Sequence, residues 1–227
     1  GNDTHLVAAL DKNTGKVMWR TPRPSAMAYA TPLIIQTAGG AQLVSPGAHR
    51  ATWYDPRTGR ELWFVRYGDG FSNVPRPVFA HSLVYLCTGF YGPKLLAVRP
   101  DGKGDVTTSH LAWQYDRGVP LTPSPLVVGD LLYIVSDNGI VTALDAKTGR
   151  EIWRQRLTGS YSASPVSVAG RVYFLSEEGE TTVLAAGNVF RKVAVNKLEG
   201  RFLASIAVAP GAFFLRSDTH LYRIDAE

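Results

Sequence analysis

The sequence predicts an all-β protein, a β-propeller built from four-stranded antiparallel blades. Two observations carry this prediction. An eleven-residue motif recurs along the chain, and each repeat unit holds four short apolar runs rich in β-branched and aromatic residues and separated by turns. In addition, no stretch shows the sustained 3.6-residue apolar period of a helix. A repeat of four strands every 40 to 46 residues is typical of a propeller blade.

The recurring motif reads apolar-Asp-x-x-Thr-Gly-x-x-x-Trp. Its aspartate position falls at residues 11, 55, 99, 145, 185 and 225, so the spacings are 44, 44, 46, 40 and 40 residues. The first, second and fourth copies are nearly identical, the third has a longer turn, and the last two are shortened. The copies span residues 9–19, 53–63, 97–113, 143–153, 183–190 and 223–227.

The chemistry of the motif is that of a tight turn followed by a strand. The aspartate accepts hydrogen bonds from amides two and three residues later, the threonine adds a side-chain bond, and the glycine supplies a positive φ. The tryptophan then buries roughly 150–250 Å², and we expect it to join neighbouring blades. The alternative is that these tryptophans stack on a ligand. The residues assigned to this structural repeat are Asp11, Trp19, Asp55, Trp63, Trp113, Asp145 and Trp153.

A second repeated element lies between the motifs. It is a Ser-Pro-apolar segment or a variant of it, followed by a turn and a further apolar run. We interpret it as the first two strands of each blade, the first being the innermost. The innermost strands are predicted to begin at Thr31, Arg76, Ser124, Ser164 and Ser205.

These repeats predict one propeller domain, or an arc of one, over residues 1–227. The sequence begins with the third and fourth strands of a blade and ends before a fourth strand, which makes four complete blades and two incomplete ones. We therefore expect the C-terminal arc of a larger propeller. The predicted blades are approximately 1–24 (partial), 25–70, 71–118, 119–158, 159–198 and 199–227 (partial).

Composition excludes several classes of protein. A hydrophobic fraction of 45% excludes wholesale disorder. The formal charge of +5 is dispersed along the chain, which argues against nucleic acid as a partner. The longest apolar stretch, residues 202–215, contains Pro210-Gly211 and is too short and broken for a transmembrane helix. Cys87 is the only cysteine, so an intramolecular disulfide is excluded, and its apolar context predicts a buried thiol.

No catalytic, cofactor-binding or metal-binding residues are assigned. The five histidines lack ligand spacing, and the nucleophile-elbow, P-loop and dinucleotide motifs are absent from the sequence. Polar and aromatic residues in the loops that lead into the innermost strands are the candidates for binding a small polar ligand or an extended peptide at the channel mouth. The alternative is that these are ordinary polar loops. The candidates are Tyr29, Asn73, Arg76, Thr122, Tyr161, Ser162, Arg201 and Phe202.

The motif and the Ser-Pro strands together resemble the pyrroloquinoline-quinone-like, tryptophan-docking repeat family. This family includes quinoprotein dehydrogenases and the outer-membrane lipoprotein of the barrel-assembly machinery. The resemblance covers about residues 6–225 and is specific for the fold. For the dehydrogenases it implies eight blades around a quinone and a calcium ion, with a vicinal disulfide and clustered carboxylates. One cysteine cannot form that disulfide, and the carboxylates fall mostly in the repeat turns.

The first functional hypothesis is a non-enzymatic scaffold that binds another protein or a peptide through loops on one face. The resemblance alone implies a bacterial, periplasmic or otherwise exported protein. No cofactor is expected from the residues themselves. Only the family resemblance implies pyrroloquinoline quinone as a cofactor. The alternatives are a segment of a quinone-dependent dehydrogenase whose catalytic blades lie elsewhere, and a carbohydrate or peptide sensor domain.

Overall fold

The computed structural model describes residues 5–225, and within that range the regular elements are all strands. This confirms the all-β prediction, and the same residues include no helix able to cross a membrane. The strands are β1 (Leu6–Leu10), β2 (Val17–Pro22), β3 (Leu33–Thr37), β4 (Gly40–Pro46), β5 (Arg50–Tyr54), β6 (Glu61–Arg66), β7 (Val78–Ala80), β8 (Leu83–Cys87), β9 (Leu95–Val98), β10 (Gly104–Asp105), β11 (Leu111–Tyr115), β12 (Leu126–Val128), β13 (Leu131–Val135), β14 (Ile140–Asp145), β15 (Glu151–Arg156), β16 (Val166–Val168), β17 (Arg171–Leu175), β18 (Glu180–Ala185), β19 (Lys192–Lys197), β20 (Ala207–Ala209), β21 (Ala212–Arg216) and β22 (Leu221–Asp225).

The strands form six sheets in two compact units, residues 1–116 and 117–227. In the first unit, β1 and β2 form the first sheet, β3 to β6 with β10 the second, and β7, β8, β9 and β11 the third. In the second unit, β12 to β15 form the fourth sheet, β16 to β19 the fifth and β20 to β22 the sixth. The described residues thus hold four sheets with a full antiparallel set of four strands and two smaller sheets. The numbered blade boundaries stay a prediction.

Packing between sheets explains why the central strands read as continuous apolar runs. Every residue of β5, β8 and β13 is buried. In the first unit, one core joins the second and third sheets and includes Trp53, Trp63 and Leu86. In the second unit, one core joins the fourth and fifth sheets through residues such as Tyr133 and Phe174, and another lies between the fifth and sixth.

The innermost strands begin later than the sequence predicted. Strands β3, β7, β12, β16 and β20 each start two residues after the predicted first residue, at positions 33, 78, 126, 166 and 207. In four of the five cases the second residue of the segment is a proline, which has no N–H to donate to a sheet ladder. The Ser-Pro pair therefore leads into the strand.

The third copy of the motif departs most from the repeat. Its longer turn contains β10, which adds parallel to the outer strand β6 of the preceding sheet. Val106 donates a backbone hydrogen bond to the Phe64 carbonyl, 3.1 Å, and the Arg66 amide donates to Thr107 Oγ1, 3.0 Å. Asp105 lies 3.3 Å from the Arg66 guanidinium. The sequence analysis did not foresee this strand, because only two residues form it and its partner is distant in sequence.

Candidate functional site

The aspartate turns of the motif are built as local chemistry dictates. Asp145 Oδ1 accepts hydrogen bonds from the amides of Lys147 and Thr148 and from the Thr148 hydroxyl, at 3.0, 2.9 and 2.9 Å. Asp11 makes the equivalent three bonds, and Gly149 has a φ of +72°. These bonds lower the pKa of Asp145, the Thr148 hydroxyl being the largest cause. The three bonds to Oδ1 give these carboxylates a structural role in the turn.

Two of the tryptophans that end the motif, Trp19 and Trp153, reach the turn of the following sheet. Trp19 Nε1 donates to the Pro56 carbonyl, 3.0 Å, and Trp153 Nε1 donates to the Gly187 carbonyl, 3.0 Å. The second bond recurs although residues 183–190 have lost the aspartate and threonine of the motif. Because the acceptor is a backbone carbonyl, this contact survives changes in the side chains of the turn.

The serines of the Ser-Pro segments form a second connection in the second unit. The amide of Ser124 donates to Ser164 Oγ, 2.9 Å, and the amide of Ser164 donates to Ser205 Oγ, 2.9 Å. Ser164 and Ser205 therefore each hold the start of the preceding innermost strand. This explains why serine recurs at these positions.

Three of the candidate ligand-binding residues are buried. Asn73, Tyr161 and Phe202 are 0%, 1% and 0% exposed. Asn73 Nδ2 donates to the Cys87 carbonyl, 3.0 Å, and Tyr161 donates its hydroxyl to the Thr158 carbonyl, 3.0 Å. Burial raises the pKa of Tyr161. These side chains hold the loops in place and present little surface to a ligand.

The other candidates are accessible, and the structure brings two of them together. Ser162 Oγ donates to Glu177 Oε1, 2.5 Å, and Arg201 lies 3.3 Å from Glu177 Oε2. Glu177, which was not among the candidates, therefore links two loops of the second unit. Thr122 is half-buried, whereas Arg76 and Tyr29 are exposed.

An exposed aromatic cluster lies in the first unit. Phe71 precedes β7, while Phe90 and Tyr91 lie in the β8–β9 turn. Backbone pairing joins Phe71 to Phe90, and the ring centroids of Phe71 and Tyr91 are 5.4 Å apart. Phe90 and Tyr91 are 47% and 74% exposed. We call these three residues the aromatic patch.

A neighbouring loop extends the aromatic patch. Met27 and Tyr29 are 52% and 60% exposed, and backbone hydrogen bonds tie their loop to residues 72 and 73. Ser72 and Tyr91 have φ values of +50° and +61°, a region that costs non-glycine residues roughly 1–2 kcal/mol. The strained backbone lies beside exposed apolar side chains, and this combination makes the loops a candidate functional site.

Sequence reasoning singled out Tyr29 but missed Phe90 and Tyr91. A signal was present, because both aromatic residues lie in a turn between Gly89 and Gly92. Glycines at the ends of a turn allow a tight path and leave large side chains between them pointing outward. The turn stands outside the repeat, because the Phe-Tyr pair occurs only once in the sequence.

The donor set does not fit the quinone and calcium of the dehydrogenases. Over residues 5–225 there is no group of three or more histidine, cysteine, aspartate or glutamate side chains that could hold a metal ion. Cys87 is buried and has no second cysteine to pair with.

Residues 102–227 match the family model described as "Outer membrane protein assembly factor BamB". The chain belongs to this family. BamB of Shewanella oneidensis is 25% identical over 194 residues, covering 78% of this chain and 45% of that protein. The chain thus spans about half the length of this curated BamB relative.

Solved structures support the β-propeller fold. BamB from Moraxella catarrhalis matches with a TM-score of 0.74 at 16% identity, over 97% of this chain and 66% of that one. The quinohemoprotein alcohol dehydrogenase from Comamonas testosteroni matches with a TM-score of 0.67 at 12% identity, over 92% of this chain and 48% of that one. The chain has the β-propeller fold and the BamB-like repeat, as the sequence predicted.

Proposed function

We propose that this chain is a non-enzymatic β-propeller module that binds another protein during assembly of outer membrane proteins, in the periplasm. The observation that carries the protein-binding role is the aromatic patch, in which Tyr91 is 74% exposed. Aromatic residues are enriched at protein interfaces because they bury much area with few rotatable bonds. The assembly role and the compartment rest on the BamB relatives.

Rigidity of the patch favours this role. The backbone bond from Phe90 to the Phe71 carbonyl, 2.9 Å, holds the two loops together, and the adjacent Tyr29 amide donates to the Asn73 carbonyl, 2.7 Å. A preorganised surface loses little conformational freedom on binding. Ser162 and Arg201, joined through Glu177, are proposed as a polar contact for the same class of partner.

Site-specific photocrosslinking in the expressing bacterium tests the proposal. A photoreactive residue replaces Tyr91 in one variant and Val189 in the other, because these positions are 74% and 75% exposed. We expect one defined adduct with an outer membrane assembly protein from position 91 and none from position 189. Equal adducts from both positions, or none from position 91, would contradict the proposal.

The quinone-dependent alternative has one observation in its favour. A quinoprotein alcohol dehydrogenase, PedE of Pseudomonas putida, is 39% identical over 62 residues, covering 27% of this chain and 10% of that protein. Titration of the purified chain with pyrroloquinoline quinone and calcium, followed by dye reduction with an alcohol, separates the two functions. Dye reduction would favour the dehydrogenase, whereas the scaffold role predicts none.

A further inference from the structure

One tryptophan of the repeat does not reach the next turn directly. Trp63 Nε1 donates to Gln42 Oε1, 3.2 Å, and Gln42 Nε2 donates to the Pro100 carbonyl, 3.0 Å. At Trp19 and Trp153 the indole bonds to the backbone carbonyl without an intermediate. Gln42 is therefore inserted into the connection between the second and third sheets. The turn it reaches is the long, irregular copy of the motif.

This insertion coincides with a cavity of about 910 Å³ in the first unit. Its walls come from the β3–β4 turn, the start of β6 and residues 99–103, while Leu62 and Phe79 supply apolar surface. The volume lies within the range of roughly 300–1,000 Å³ typical of small-molecule sites. The cavity is formed by the turns at the opposite end of the strands from the aromatic patch, so it is a separate feature of this unit.

The charges at the cavity are mostly positive. Arg60, Arg99 and Lys103 line it, and within residues 5–225 none of the three forms an ion pair with a carboxylate. Of the two acidic groups of the lining, Glu61 pairs with Arg50. Asp101 is exposed and lies 3.4 Å from His110 Nε2, a contact that is an ion pair only when the imidazole is protonated. Arg99 also donates from Nη2 to the Ser109 carbonyl, a bond that leaves its positive charge unpaired. The three cations outnumber Asp101, so the lining carries a net positive charge.

We propose that this cavity binds a small phosphate ester. A phosphate monoester carries a charge of about −1.5 to −2 at neutral pH, which suits a group of three cations. Guanidinium groups bind phosphate oxygens in a bidentate geometry, and a lysine adds a point charge. Leu62 and Phe79 accommodate the uncharged part of the ligand. The proposal does not depend on the protein-binding function.

Titration of the whole chain with glycerol 3-phosphate, followed by calorimetry and amide NMR, tests this. We expect saturable binding with shifts concentrated at residues 37–39 and 101–103. Arg60→Gln and Lys103→Gln should each weaken the affinity about tenfold. The matched control is Arg57→Gln, an exposed arginine of the same turn as Arg60 that does not line the cavity. It should change the affinity less than about twofold.

Two further arms identify the source of the phosphate. Glycerol lacks the phosphate and should not bind. Separately, vesicles of phosphatidylglycerol in phosphatidylcholine are compared with vesicles of phosphatidylcholine alone. Retention by the anionic vesicles that Arg60→Gln abolishes and Arg57→Gln leaves intact would assign the phosphate to a lipid headgroup. The proposal is overturned if neither the free ester, up to about 10 mM, nor the vesicles bind, or if Arg57→Gln weakens binding as much as Arg60→Gln.

Discussion

Trp19 covers Gly59 so closely that a β-carbon added to the glycine would lie 2.4 Å from Cε3 of the indole. Gly59 is the glycine of the second aspartate turn, and its φ is +73°. Thr21 completes the contact by donating its hydroxyl to the Gly59 carbonyl, 2.7 Å. The glycine of the motif thus serves two needs at once, a left-handed backbone and a flat seat for the preceding tryptophan.

Gly59→Ala should destabilise the protein more than the same change at Gly15. Gly15 occupies the equivalent turn position with a φ of +70°, but nothing lies within 4 Å of its added β-carbon. Gly15→Ala therefore incurs backbone strain alone, about 1 kcal/mol. Gly59→Ala adds a steric clash and should cost about 3 kcal/mol. Urea unfolding measures both, and equal losses would refute the seating role of Gly59.

Ser164→Ala should weaken the connection between the fourth and fifth sheets. The change removes the oxygen that accepts the Ser124 amide at 2.9 Å, so we expect a loss of about 1 kcal/mol. The control is Ser167→Ala in β16, a half-buried serine that makes no side-chain hydrogen bond among the described residues. Thermal unfolding should separate the two variants, and identical melting temperatures would count against the serine connection.

Asp145 should make stability depend on pH in the acid range. Its pKa is lowered from 3.8 in the folded protein, chiefly by the Thr148 hydroxyl. Folding therefore favours the ionised form, and the resulting stability is fully present above the unfolded value of 3.8 and lost as the pH falls through the folded value. Asp145→Asn keeps an acceptor oxygen but cannot ionise.

Unfolding free energies measured from pH 7 to pH 2 test this sign. The advantage of the parent protein over Asp145→Asn should be constant at neutral pH and should shrink in acid. Thr148→Val removes the largest cause of the shift and should make the acid loss smaller. An advantage that grows in acid would show that the carboxylate is not stabilised by these bonds.

Asn73→Asp should be worse than Asn73→Ala at neutral pH. Asn73 is fully buried, and its Nδ2 donates to the Cys87 carbonyl at 3.0 Å and the Tyr67 hydroxyl at 3.3 Å. Alanine loses these bonds, at a cost of about 2 kcal/mol. Aspartate buries an unpaired charge against a carbonyl oxygen and should cost about 3–5 kcal/mol.

The aspartate variant should recover part of its stability in acid, because burial raises the pKa of an unpaired carboxyl and protonation removes the charge. Urea unfolding at pH 7 and pH 4 gives the comparison. If Asn73→Asp matches Asn73→Ala at neutral pH, water reaches the side chain and the site is not closed.

Local chemistry explains which features were predictable from the sequence. The turns at Asp11 and Asp145 follow from bonds within four residues, and the buried runs of β8 and β13 follow from their composition. The exposed position of Tyr91 and the burial of Asn73 depend on neighbours distant in sequence. The polarity of Asn73 therefore predicted an exposed side chain, whereas its contacts with distant residues bury it.

The cavity was equally invisible in the sequence. Gln42 reads as an ordinary polar residue of a strand, and its role appears only when Trp63 and the Pro100 carbonyl are seen on either side of it. The long third turn was recognised as a looser copy of the motif, but its length gave no indication of β10. The sequence thus predicts where an irregular copy of the repeat lies, but it does not predict the conformation of that copy.

The parallel pairing of β10 with β6 affects how the sheets resist aggregation. An outer strand with free N–H and C=O groups is a template for strands of other chains. Backbone groups along the outer edge of β6 pair with the turn that contains β10, so the main chain of this turn covers that edge of the second sheet. The outer strands β15 and β19 instead carry charged side chains, among them Arg154, Arg156, Lys192 and Lys197. Strand-adding partners or misfolded copies are thereby kept off β6 by geometry and off β15 and β19 by positive charge, and high salt would screen only the second kind of protection.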